Sequence, residues 1–205
     1  MTARTRRQKP EPYLKDFLLV VVGAVIGLSS SMLTAYTQNK AQREQFLIDK
    51  KLQVLRDASN GLNEHSVALD SLLLDLGSQY EEGAKSMSKG IFLSAAEWEA
   101  LAKKNEIVRR EMTTLKTAWS TNRILTFAIF NDEPPDLELE ELGPINKRWA
   151  EAMKRAESQT PNQQAKTMAP ILVEVALQLK TLRKDLIDGT NRANAKLVDL
   201  AKQLR

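Results

Sequence analysis

Residues 17–36, FLLVVVGAVIGLSSSMLTAY, carry no charge over twenty consecutive positions, with Lys15 and Asp16 before them and Lys40 after. As a helix, such a run is about 30 Å long, the thickness of a bilayer's hydrocarbon core. The length predicts a single transmembrane helix over residues 17–38, preceded by a basic tail, residues 1–16, and followed by a domain, residues 39–205. A cleaved leader is the rival reading, because a basic segment precedes the run and Ser29 to Ser31 offer small residues for cleavage. The apolar stretch continues through Met32, Leu33 and Tyr36, past the length of a signal core, so retention as an anchor is expected.

Charge sharpens this division. The tail holds Arg4, Arg6, Arg7, Lys9 and Lys15 against Glu11 and Asp16, which leaves 25 basic and 24 acidic side chains for residues 39–205. A nearly neutral domain does not offer the broad basic face with which nucleic-acid binders release counterions, so no nucleic-acid partner is expected. There are no cysteines, which removes disulfides, thiolate metal sites and cysteine nucleophiles from consideration. Basic residues near the run are balanced, five on each flank. The short tail also carries the α-amino group, and long C-terminal domains translocate largely regardless of charge. The expected placement is the cell (inner) membrane, with the N-terminus cytoplasmic and the domain outside.

Within the run, Gly23, Gly27, Ser31 and Ala35 recur every fourth residue. Positions i and i+4 share one side of a helix, and a row of small side chains lets a second backbone approach closely in lipid. Self-association through these four residues is the expectation, which makes a homo-oligomer and the lipid bilayer the first partners. No ionisable residue lies inside the run, which weighs against an ion or proton relay.

Beyond the run, Ile48, Leu52, Leu55, Ser59, Leu62, Ser66, Leu69, Leu73, Leu76 and Tyr80 follow at spacings of four and three, a heptad seam. No glycine or proline intervenes between Tyr36 and Gly61, so the membrane helix is expected to continue into this seam. The polar positions Ser59 and Ser66 around Gly61 mark either an oligomer-tuning layer or a bend. Residues 81–93 read as a flexible connection. Ser94 and Glu97 form a capping box for a second helix ending near Phe130, with Trp98, Leu101, Val108, Met112, Leu115, Trp119 and Ile129 in register and Asn105 and Asn122 interrupting.

Residues 131–143 contain Pro134, Pro135 and the carboxylates of Asp132, Glu133, Asp136, Glu138, Glu140 and Glu141, a solvated acidic linker by composition. A short third helix is expected from Pro144 through Ile145, Trp149, Met153 and Ala156. Thr160, Pro161 and Gln163 open a last helix whose stripe is Met168, Leu172, Val175, Leu179, Leu182 and Leu186, with Pro170 marking a kink or its true start. Gly189 breaks that register, which resumes at Ala193, Leu197, Leu200 and Leu204. The expected fold is all-α: a membrane helix continuing into an antiparallel, coiled-coil-like bundle of about four helices. The heptad stripe serves pairing within one chain or between chains equally well.

No chemistry-bearing motif emerges. His65 is the only histidine, and adjacent Glu64 points elsewhere on a helix, so an ordinary helix residue is expected. No serine lies in a nucleophile elbow or a phosphate loop. No enzyme activity, cofactor or metal is expected. Trp98, Trp119 and Trp149 lie on apolar stripes, as core residues do. Lys103, Lys104, Arg109 and Arg110 alternate with Glu99, Glu106 and Glu111, as on a salt-bridged surface.

The expected function is a single-pass membrane scaffold that self-associates and presents its bundle to an unidentified protein partner. The arrangement broadly resembles the helical-bundle sensor domains of bacterial chemoreceptors, a resemblance of architecture that implies a small ligand bound between helices. A membrane-perturbing effector, triggered through the domain, is a third reading.

Overall fold

The computed structural model describes residues 12–139 and 160–204, with Lys147, Glu151 and Lys154 between them, and side chains from Leu19 onward except those of Val20 and Val21. Among these residues there is no strand. The long helices among the described residues are α1 (Pro12–Ser88), α2 (Ala95–Phe130) and α3 (Pro161–Lys202). The chain divides into two compact units, Met1–Lys50 and Lys51–Arg205, and α1 contributes to both.

The first unit is helical from Pro12 and presents its described side chains outward. Among the described residues no helix is long and apolar enough to cross a membrane. The spanning helix expected over 17–38 is not supported there: from Val22 onward, Gly23, Gly27, Ser29 to Ser31 and Thr34 dilute the hydropathy of α1.

The second unit is a helical bundle. Leu55, Leu62, Leu69, Leu73 and Leu76 of α1 are buried, whereas Ile48, in the first unit, and Leu52 are half-buried. The five buried leucines pack with Val108, Met112 and Leu115 of α2, and with Leu172, Leu179 and Leu186 of α3, in one continuous core. The order of cross-helix contacts sets direction. Asp75 pairs with Lys104, and an alanine Cβ at Gly61 would meet Asn122, so α2 runs antiparallel to α1. Asp70 pairs with Arg183 and Glu81 with Lys180, while Ser66 bonds Thr190, so α3 is antiparallel to α1 as well. The seam of α1 is therefore covered by other helices of the same chain.

Residues 81–93 differ from the flexible connection the sequence suggested. Helix α1 continues to Ser88 because Gly83, Ala84 and Met87 are buried, Gly83 against Leu93 and Leu172, and packing overrides the glycine's weak helix propensity. The chain then turns at Gly90, whose φ of 81° is a left-handed conformation natural to glycine. Ser94 starts α2: its hydroxyl accepts from the Glu97 amide at 3.3 Å, and its own amide donates to the Glu97 carboxylate at 2.6 Å. Asn131 ends α2 in the left-handed region, its amide donating to the Phe127 carbonyl at 2.8 Å. Pro161 occupies the first turn of α3, and the Thr160 amide donates to Gln163 at 3.3 Å. Pro170 lies inside α3 rather than at its start.

The expected third helix, with Ile145, Trp149, Met153 and Ala156, lies outside the described residues. Lys147, Glu151 and Lys154 are helical and exposed.

The acidic stretch after α2 also departs from the solvated linker of the sequence reading. Residues 132–139 lie as a strap across α2 and α3. Pro134, Leu137 and Leu139 are buried, and the Trp119 indole donates to the Pro135 carbonyl at 3.0 Å. Arg123 reaches Glu133 and Asp136, both at 2.8 Å, and its Nε donates to the Pro134 carbonyl. Lys116 donates to the Leu139 carbonyl at 3.0 Å, and Lys196 of α3 pairs with Asp132. Gly189 of α3 lets the strap sit close, since a Cβ there would meet Leu137 Cδ2 at 3.3 Å. Apolar side chains alternating with the carboxylates, together with cations already positioned on α2 and α3, bring this segment onto the bundle.

Candidate functional site

Two surfaces remain once the bundle's core is accounted for. The first is the apolar side of α1 in the first unit. From Leu19, 71% exposed, to Met32, 73% exposed, and on to Leu33 and Tyr36, large apolar side chains face outward uncovered by the chain. The small residues of the expected association row are open too: a Cβ built at Gly23 or Gly27 would meet nothing within 4 Å. Ser31 and Ala35 are exposed.

The serine and threonine hydroxyls of this stretch turn back onto their own helix. Ser29 donates to the Val25 carbonyl at 2.7 Å, Ser30 to Ile26 at 2.8 Å, Ser31 to Leu28 at 2.9 Å and Thr34 to Ser30 at 2.8 Å. Thr37 likewise donates to Leu33 and Thr34. Each hydroxyl hydrogen thus has a partner without water, the arrangement that lets serine and threonine sit in an apolar medium.

The second surface is the outer groove between α1 and α3. Asn63, Ser66, Val67, Asp70, Ile187 and Thr190 line a hollow of about 170 Å³. Toward the other end of the same groove, Ala84, Ala169, Pro170 and Val173 form the apolar wall of one of about 620 Å³, bordered by Glu81, Lys85 and Lys166. A sequence reading that sought only a core stripe passed over this face. The available signal was the excess of apolar residues on α3, where seven of the nine residues 171–179 are apolar, more than one buried side needs.

Polar side chains link the helices at several levels, with one pair of them buried. The buried hydroxyls of Ser66 and Thr190 meet at 2.9 Å, and Ser59 donates to Asn194 at 2.8 Å, which in turn donates to Asn63 at 2.7 Å. Asn105 donates to the Tyr80 hydroxyl, whose burial pushes the phenol's pKa up despite that bond. These groups join α1 to α2 and α3 within one chain.

Several of the other singled-out residues serve packing or ion pairs. His65 is half-buried beside exposed Glu64. Trp119 is buried under the strap, and Trp98 packs on Phe92 with ring centroids 6.2 Å apart. Trp149 lies outside the described residues. Arg109 and Arg110 both engage Glu106, and Lys104 engages Asp75. Among the described residues no group of three or more histidine, aspartate or glutamate side chains could hold a metal ion. No protein-family model matches the chain, and no curated protein or solved structure is significantly similar to it.

Proposed function

We propose that the chain is a single-pass membrane scaffold, held in the bilayer by residues 17–38, that self-associates through Gly23, Gly27, Ser31 and Ala35 and presents its helical bundle to a protein partner. One observation carries this reading: the exposed apolar side chains of Leu19, Val22, Val25, Ile26, Leu28, Met32, Leu33 and Tyr36, which the chain itself leaves bare. Soluble proteins rarely leave such a surface uncovered, and lipid covers it without any further partner. The twenty-residue uncharged run matches the required length. The inward-turned hydroxyls of Ser29 to Thr37 remove the main polar objection.

Self-association rests on the open faces of Gly23 and Gly27, where a second helix can approach to backbone contact. The test is crosslinking of the full chain in membranes. Gly27→Leu reduces the crosslinked dimer at least severalfold in this reading, and an unchanged yield removes the small-residue row from it. Topology reporters fused at each end test the orientation, N-terminus cytoplasmic and bundle outside. The bundle itself is held together within one chain by the burial of its α1 seam, so presenting it needs no oligomer.

A further inference from the structure

We infer that the outer groove between α1 and α3 is a docking site for an amphipathic helix of another protein, one whose apolar stripe is flanked by carboxylates. The proposal rests on the scaffold reading for its context and names the class of partner the bundle takes.

The groove carries exposed apolar side chains at intervals, and the Asp70–Arg183 and Glu81–Lys180 ion pairs cross between them. Val67, 67% exposed, lines it from α1 and Val173 and Ile187 line it from α3, while Leu74 and Leu177, 63% exposed, stand on the same two helices between these positions. Each of these lies beside a residue whose side chain is in the core, so both helices are apolar on two sides. From Val67 to Ala84 the groove runs about 26 Å, the length of a helix of about 17 residues. Occupants of this kind read such a groove through side chains at i, i+3, i+4 and i+7.

The charge along the groove selects the flanks of that helix. Lys85, Lys166, Lys180, Arg183 and Lys184 line it against Glu81, Asp70 and Asp188. Glu81 is already held by Lys180, and Asp70 by Arg183. Lys85 adds its charge to Glu81 as well, whereas Lys166 and Lys184 on α3 hold no carboxylate among the described residues, and Asp188 is the acid left beside them. An incoming helix with glutamates beside its leucines meets opposite charge over the α3 wall, whereas one with lysines there meets repulsion, and this asymmetry sets specificity.

The experiment uses the full chain in lipid nanodiscs and two labelled synthetic peptides of about 17 residues. They share a leucine stripe and differ only in glutamate or lysine flanks. Fluorescence anisotropy is expected to give binding of the glutamate peptide at least tenfold tighter than of the lysine peptide. Leu177→Glu loses that binding, the double change Lys166→Glu with Lys184→Glu reverses the preference, and Ile107→Glu on the exposed side of α2 leaves it intact. Circular dichroism of each variant checks that the fold persists.

Binding of neither peptide, equal binding of both, or a Leu177→Glu variant that binds as before overturns the proposal. An oligomer that dissociates on Leu177→Glu places a second copy in the groove and overturns it too. Peptide binding is read independently of dimer crosslinking, so loss of one leaves the other standing.

Discussion

The hydroxyls of Ser66 on α1 and Thr190 on α3 lie 2.9 Å apart inside the bundle, 6% and 9% exposed. Removing one leaves the other buried without its partner, which costs more than the bond itself contributes. Ser66→Ala is therefore expected to destabilise the fold by about 1–2 kcal/mol, and adding Thr190→Val to cost less than the sum of the single changes. Urea denaturation of the four proteins in the cycle measures the coupling. Strict additivity would mean that the hydroxyls do not depend on one another.

Trp119 holds the strap by both volume and hydrogen bond. Trp119→Phe keeps most of the volume but orphans the Pro135 carbonyl, and a loss of about 1–2 kcal/mol is expected. Gly189→Val forces a side chain against Leu137, and overpacking of this kind costs about 1–3 kcal/mol. In both variants amide exchange of residues 132–139 is expected to speed up more than that of the α1 core. Uniform acceleration would contradict the strap as a separately held element.

Gly90 stands at φ 81°, and a Cβ there would also come within 3.0 Å of the Asn162 side chain. Gly90→Ala is expected to cost about 1–2 kcal/mol, from the left-handed backbone alone. Thermal denaturation reads it directly; an unchanged midpoint would mean that the turn relaxes.

Stability should fall in acid for a stated set of groups. The carboxyls of Glu81, Glu97, Glu106 and Asp199 are held below their usual range by Lys180, by the Ser94 hydroxyl and amide, by Arg110 with Arg109, and by Lys202 respectively. Their folded pKa values are depressed, so the contribution is complete above the ordinary carboxylate value and is lost as pH falls through the lowered ones. Three of the four depend on exposed ion pairs and should weaken with salt, while the Glu97 cap should not. Melting curves against pH at low and high salt separate them, and Glu97→Gln is expected to remove the salt-resistant part. At the alkaline end, the raised phenol of Tyr80 gives a contribution that is complete below the ordinary tyrosine value and is lost as pH climbs through the raised one.

The helices were legible in the sequence because each signal was local. The Ser94 to Glu97 box, the end of α2 at Phe130 and the Thr160–Pro161 start depend on neighbours a few residues apart. Two features were not legible, because their causes are distant in sequence. The helical path through Gly83 depends on Leu93 and Leu172, and the strap depends on Trp119, Arg123, Gly189 and Lys196. A run of carboxylates and prolines reads as solvent-loving until the cations that meet it are placed. For Ser59 and Ser66, periodicity offered an oligomer layer or a bend. Asn194 and Thr190, more than a hundred residues on, supply their partners instead. The α1/α3 groove was hidden for a related reason, since a second apolar stripe beside the core stripe looks like more core until one side is seen to lie open.

Residues 17–38 are proposed to lie in lipid. Alkaline carbonate extraction of membranes from cells making the full chain tests this most directly. The account requires the chain to remain in the membrane pellet, and to leave it when Val22, Val25 and Ile26 are all replaced by aspartate. Release of the unaltered chain into the supernatant would contradict it.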